Sequence, residues 1–382
     1  MTAVSPTHAA PVDDTAARPR LFYLDNLRIL LTVLVVAHHV ALTYGNLPLW
    51  YYSEPAQDPS GVVLDILVAV NQMFFMGLFF LISGFFTPGS YDRKGARGFL
   101  RGRLTRLGVP LLLFLLVLRP IVNVGGLAPA REAFAETGAA LPYWLYYVIS
   151  WDPGPMWFVE VLLVFAMVYA LLRRVRVREA AAPAPSPRAP GMAAITGFVA
   201  ALALATYVWR LVVPAGTYWP VVGLPSPAYL PQYVMLFAVG ALAYRRGWLT
   251  ALGRATGRLG FVAAGVALIV FVVTTLMVEQ AHTALALLAV SEAVFATGVI
   301  IGLVVLFRER FNRQGSTGRF LSAQAYAVYV IHPLVLVGLG HALSWLDAIA
   351  VVKFAVMATL AVPLCWLAAY AVRSLPFARR VL

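Results

Sequence analysis

Apolar residues gather into ten runs along the chain, near 26–44, 63–86, 108–126, 155–172, 192–213, 229–244, 259–278, 284–307, 320–340 and 350–372. Most approach the roughly 20 residues that an α-helix needs to cross a hydrocarbon layer of about 30 Å. The pattern predicts an all-α fold, a polytopic membrane bundle of about ten transmembrane helices. Between the third and fourth runs, residues 127–154 leave room for an interfacial helix over 130–138 or 141–149. Residues 1–20 have no apolar core and read as a disordered tail rather than a cleaved signal peptide. A Pro/Ala-rich linker over 178–191 (REAAAPAPSPRAPG) divides spans one to four from spans five to ten, and residues 375–382 form a second short tail.

Composition agrees with burial in lipid. Of 382 residues, 61% are apolar and 12% charged, against about 45–50% and 25% in soluble domains. A net charge of +13 invites a nucleic-acid reading, but the basic residues are strung between the apolar runs, so nucleic acid is excluded as the partner. By our alternation, 24 of the 29 Lys and Arg fall on one set of connections. The positive-inside rule then places those connections and both termini in the cytoplasm. The opposite connections carry Trp50, Tyr51, Tyr52, Tyr143, Trp144, Tyr146, Tyr147, Trp151, Tyr218 and Trp219, residues that favour the membrane–water boundary. The lone Cys365 allows no intrachain disulfide and no thiolate metal cage, and no metal site is expected.

Ionisable groups inside spanning helices are costly and mark function by default. Arg28, His39, Arg119, Glu160, Glu292 and His332 are the candidates. Counted at about 1.5 Å per residue, His39, Arg119, Glu160, Glu292 and His332 lie roughly 16 to 22 Å from the basic side. One slab just beyond the midplane suggests a shared polar cavity. The alternative is that Arg119 pairs with a glutamate merely to neutralise a buried charge.

The first run adds a sharper constraint. Arg28 and His39 are eleven residues apart, which at about 100° per residue puts them on one helix face, some 16 Å apart along the axis. His38 points about 80° away from Arg28. A guanidinium low on the wall and an imidazole above it suit an extended anionic ligand. Arg103 and Arg106 are neighbours three apart, with Arg97 and Arg101 close by. They suit phosphates, or else are ordinary positive-inside charge.

These residues resemble the acyltransferase-3 family of membrane-bound acyltransferases. LDNLRILLTVLVVAHH (24–39) resembles its first-span signature of an Arg, ten residues and a His. MGLFFLISGFF (76–86), Arg103-Leu-Thr-Arg106 with Pro110, PMWFVEVLL (155–163) and AYAVYVIHPLVL (325–336) resemble its later motifs in order. LDNLR and WFVE resemble patterns in the branch that includes glucan biosynthesis protein C. The resemblance covers about residues 22–372, within a transmembrane domain of 21–374.

The resemblance implies an integral enzyme of the bacterial cytoplasmic membrane. It would move a short acyl group from cytoplasmic acyl-CoA, its donor substrate, to a hydroxyl of a carbohydrate, glycolipid or secreted small-molecule acceptor, with no permanently bound cofactor. His39 would be the general base; Arg28 would guide the donor and Glu160 would orient His39 or bind acceptor hydroxyls. Arg103 and Arg106 would hold CoA phosphates, and Arg119, His332 or Glu292 would contact the oxyanion or acceptor. The family often adds an extracytoplasmic hydrolase-like domain after the last span. With this chain ending at Leu382, the acceptor is expected to reach the bundle itself. The rival reading is a transporter or flippase of a polar or lipid-linked solute.

Overall fold

The structure, a computed structural model, describes residues 20–47, 49–136, 138–175, 188–220 and 223–382. The expected N-terminal tail, except Arg20, and the linker up to residue 187 lie outside the described residues. Among the described residues the fold is helical, and the single extended pairing is Trp219 with Leu224. Where lipid offers no hydrogen-bonding partner, a helix satisfies its backbone within the segment, so apolar runs become helices.

In chain order the helices are α1 (Phe22–Tyr44), α2 (Gly61–Gln72), α3 (Phe75–Arg103), α4 (Val109–Leu113), α5 (Arg119–Val122), α6 (Leu127–Ala135), α7 (Tyr143–Ile149), α8 (Trp157–Val175) and α9 (Met192–Arg210). There follow α10 (Leu230–Arg246), α11 (Trp248–Ala251), α12 (Arg254–Met277), α13 (Ala281–Arg310), α14 (Ser316–Ala342), α15 (Ala350–Ser374) and α16 (Ala378–Val381). Each of the ten apolar runs falls on helix. Among the described residues, eight helical segments are long and apolar enough to cross a membrane. The difference from ten has two sources: residues 61–122 form one 62-residue helical stretch containing two runs, and α10 has 17 residues. The protein is multi-pass.

Prolines and glycines shape the second and third runs. Gly95, at φ 64°, breaks α3, so its basic last turns run in a different direction from its apolar body. Around Pro110, and just before Pro120, the helix loosens into π-turns at Leu104–Gly108 and Phe114–Leu118, because a proline cannot donate to the turn before it. Residues 127–154 hold two short helices, α6 and α7, where one was expected. Tight packing uses glycine: Gly84 lies against the Phe237 backbone, and Gly240 against that of Leu81, which draws α3 and α10 together as small residues do in membranes.

Side-chain contacts sort the helix ends into two rims. On the basic rim, Asn26 donates to Phe311 and Arg313 carbonyls, Arg173 and Arg245 flank Asp92, Arg308 donates to Leu249 and Leu252, and Arg373 donates to Ala323. On the aromatic rim, the 45–60 loop is pinned by Asp65 to Asn46, by Lys353 to Glu54 at 2.7 Å and by the Ala350 amide to Asp58 at 2.9 Å. Hydrogen bonds from Ser60 and then from Ala350 hold the Asp58 carboxyl below its usual pKa range, so Asp58 keeps its charge to a lower pH than a free aspartate.

Candidate active site

On α1, residues 28, 32, 35 and 39 recur at helical spacing. Arg28 is half-buried, with 39% of its side-chain surface open. Its guanidinium reaches Asp25 at 3.7 Å. Thr32 and Val35, both buried, lie between it and His39 on the same wall. The two adjacent histidines have different surroundings. His38 is buried, stacked on Phe75 with ring centres 5.1 Å apart, and 3.4 Å from the Asn71 amide. His39 is half-buried and faces Trp50 at 4.1 Å and His332 at 4.9 Å.

Backbone carbonyls orient both imidazoles. His39 Nδ1 lies 2.8 Å from the Val35 carbonyl, which can only accept, so Nδ1 carries the proton and Nε2 keeps its lone pair. His332 makes the same arrangement, Nδ1 lying 2.7 Å from the Tyr329 carbonyl. That carbonyl is free because Pro333, four residues on, has no N–H to give it. The His-Pro pair thus supplies a ring and frees the acceptor that fixes it. His332 is fully buried and its Nε2 has no partner among the described residues.

Trp50 covers the pair. Its indole is nearly parallel to His332, at 5.9 Å and 12°, and its Nε1–H is buried without an acceptor among the described residues. An indole N–H can only donate, and a buried donor left unmatched usually has a purpose. The loop that carries Trp50 is held by the aromatic-rim clamps already described.

A tyrosine stripe joins this centre to the basic rim. Tyr326, Tyr329 and His332 recur every third residue on α14; the tyrosine rings stack at 6.3 Å and 17°, and Tyr329 lies 6.1 Å from His332. Tyr326 donates to the Arg106 carbonyl at 2.9 Å, and Tyr329 donates to the Pro155 carbonyl at the entry to α8. Glu160, half-buried on α8, lies within electrostatic reach of Tyr329 and Asp152 and holds no ion pair among the described residues. At the rim, Arg103 reaches the Thr87 hydroxyl at 3.2 Å and lies over Phe99, while Arg106 is exposed.

The other candidates sit elsewhere. Arg119 is fully buried, donates to the Tyr147 and Ser150 carbonyls, lies 3.7 Å from Asp152 and stacks against Tyr147 and Trp151. It ties the α7 segment to α5. Glu292 accepts two hydrogen bonds from Arg210, at 2.9 and 2.6 Å, with the guanidinium over Tyr229. The structure thus brings His39 and His332 together, ties up Glu292 with Arg210, and holds Arg119 on Asp152, which accepts from Tyr51 at 3.5 Å beside Trp50. Sequence reasoning missed Trp50, grouped with boundary aromatics; Tyr329, whose three-residue spacing from His332 is a readable signal; and Arg210, left at a span end.

The acyltransferase-3 family model, described as "Acyltransferase domain", matches residues 21–370. Among curated proteins the chain is similar to glucans biosynthesis protein C of Salmonella schwarzengrund (strain CVM19633) and of Salmonella typhimurium, 28% identical over 153 residues. The aligned stretch covers 39% of this chain and 38% of those relatives' length. No solved structure matches the chain significantly.

Proposed function

The chain belongs to the acyltransferase-3 family of membrane acyltransferases, and from that membership we propose that it moves a short acyl group from acyl-CoA to a hydroxyl of a carbohydrate or related acceptor, with His39 as general base. The observation that carries the proposal is the imidazole pair: two rings 4.9 Å apart, each with Nδ1 tied to its own helix carbonyl, beneath an indole with an unmatched N–H. Positive-inside charge supports a basic rim facing the cytoplasm, ten crossings and both termini on that side. Acyl-CoA would then enter past Arg103 and Arg106, its phosphates held by the guanidiniums and its pantetheine arm running along the Arg28 wall toward His39.

In this scheme the acceptor hydroxyl gives its proton to His39 Nε2 as its oxygen bonds to the thioester carbon. The carbon–sulfur bond then breaks, and the CoA thiolate leaves and takes up a proton. A thioester is already activated, so no protein nucleophile is needed, and Cys365 is buried in α15. Neutral His332 offers a lone pair at Nε2, not a donor, so its role is to share the proton that His39 acquires. The developing oxyanion is left to the Trp50 N–H, a fixed donor beside the base. Glu160 would bind acceptor hydroxyls from the α8 side.

The test is CoA release by purified protein in nanodiscs, with acetyl-CoA and other short acyl-CoAs offered against a panel of sugar acceptors. Thiol release that depends on acceptor is expected. If no donor and acceptor pair releases CoA, while proteoliposomes move an acceptor with no donor present, the protein is a carrier and the acyl-transfer reading fails.

A further inference from the structure

We propose that the groove between the end of α3 and the end of α8 is a binding site for an anionic glycerophospholipid, its phosphate held by Arg97, Arg101 and Arg174 and an acyl chain laid along the apolar floor behind them. A cavity of about 630 Å³ is lined by those three arginines and by Leu100, Leu104 and Val109 among others. A second of about 310 Å³ shares Leu100 and Arg174 with it and continues along Met167, Val168 and Leu171. The combined space lies in the size range of small-molecule sites.

The sequence explains the groove. Residues 97, 100, 101 and 104 recur at i, i+3, i+4 and i+7 past the Gly95 break, so they share one face. Residues 167, 170, 171 and 174 repeat the same spacing on α8. A stripe that mixes arginine with leucine on α3 and an apolar stripe that ends in Arg174 on α8 line the same opening. Along α8 the floor runs inward from Arg174 to Met167 over about 10 Å, so the charge sits at the mouth and the apolar surface extends toward mid-span. Met167 and Leu171 are 50% and 61% exposed, open to the surroundings of the bundle.

Charge decides what fits. None of the three guanidinium groups has an ion-pair or hydrogen-bond partner among the described residues, whereas that of the adjacent Arg173 is 3.6 Å from Asp92. Three unpaired guanidiniums around one opening suit a phosphate. Arg103 lies outside this set, turned to Thr87 and Phe99. A nucleotide phosphate would satisfy the same arginines but would leave polar base and ribose against leucine and methionine; a diacyl lipid matches both ends of the groove. The inference rests on the multi-pass character of the chain and not on acyl transfer.

The test uses the delipidated full chain in neutral detergent, with binding of phosphatidylglycerol and phosphatidylcholine measured by native mass spectrometry, with and without CoA as competitor. One saturable phosphatidylglycerol site is expected, with phosphatidylcholine binding at least tenfold weaker and CoA not displacing the lipid. At about fivefold per arginine, the Arg97→Gln/Arg101→Gln variant should weaken binding about 25-fold. Leu171→Trp, at a surface position that leaves the arginines in place, should weaken it by filling the floor. Equal binding of the two lipids, parent-like binding by both variants, or displacement by CoA would overturn the assignment, the last by giving the groove to the donor. Loss of lipid binding with acceptor-dependent CoA release intact would fail this inference alone.

Discussion

Replacing His39 by Gln, beside a matched His38→Gln, isolates chemistry from packing. His39 lies against two rings, Trp50 at 4.1 Å and His332 at 4.9 Å, and His38 is stacked on Phe75 at 5.1 Å. An aromatic pair contributes about 0.5–1.5 kcal/mol, so His38→Gln should lose about 1 kcal/mol of stability and His39→Gln about 1–2 kcal/mol, leaving the two within a few degrees of each other in melting temperature. Their rates should diverge. A positioned base is worth about 10²–10⁴, which at about 1.4 kcal/mol per tenfold is roughly 3 to 5.5 kcal/mol of barrier. Of the two, only His39 stands ring to ring with His332, at 4.9 Å. Initial rates of acceptor-dependent CoA release, read with melting curves in the same nanodiscs, should give a His39→Gln rate down at least a hundredfold and a His38→Gln rate within a few-fold of the parent. Equal losses, or more than about a tenth of the rate left in His39→Gln, would refute the assignment.

Trp50→Phe keeps a ring against His39 but removes the N–H; if that donor faces the oxyanion, kcat should fall about 10²–10³ with little change in donor KM, and a parent-like kcat would remove the indole from the chemistry. Arg103→Gln with Arg106→Gln should raise KM for acyl-CoA and narrow its advantage over an acyl-dephospho-CoA; an unchanged preference between the two donors would place the 3′-phosphate elsewhere. Glu292→Leu strands the buried Arg210 guanidinium and should cost about 3–5 kcal/mol, most of it recovered by adding Arg210→Met, since an apolar pair of similar volume can replace a buried ion pair. A silent single variant, read by thermal melting, would mean the pair is solvated.

The helices were legible because lipid crossing demands long apolar runs, and each expected run is helix. The difference in facing between His38 and His39 was legible too, since 100° per residue is a property of one helix. What one helix cannot encode is which neighbour it meets. Depth counting put Arg119, Glu292, His39 and His332 in a single slab, and the slab hid three different pairings: Arg119 with Asp152, Glu292 with Arg210, and His39 with His332. Depth is one coordinate, and the position around the bundle is another that comes only from packing. Trp50 was hidden for the same reason. Its loop is set by Glu54 and Asp58 reaching Lys353 and Ala350, 299 and 292 residues away in sequence, so the boundary preference of tryptophan was the only readable signal.

Pro333 offers the closest link between a single residue and the proposed chemistry. A proline inside a helix removes one backbone hydrogen bond and costs about 3 kcal/mol or more, so its place one residue after His332 calls for a reason. The freed Tyr329 carbonyl accepts from His332 Nδ1, which leaves Nε2 as the lone-pair nitrogen. Pro333→Ala would return an N–H to that carbonyl and make it compete with the imidazole. The ring could then turn or change tautomer, and His332 would no longer reliably share the proton taken by His39. The expected result is opposite signs in two measurements: a melting temperature equal to or above the parent's, and a kcat lower by about tenfold or more. A variant that melts lower and turns over more slowly would point to simple loss of packing, and one with unchanged kcat would show that the orientation of His332 does not matter to transfer.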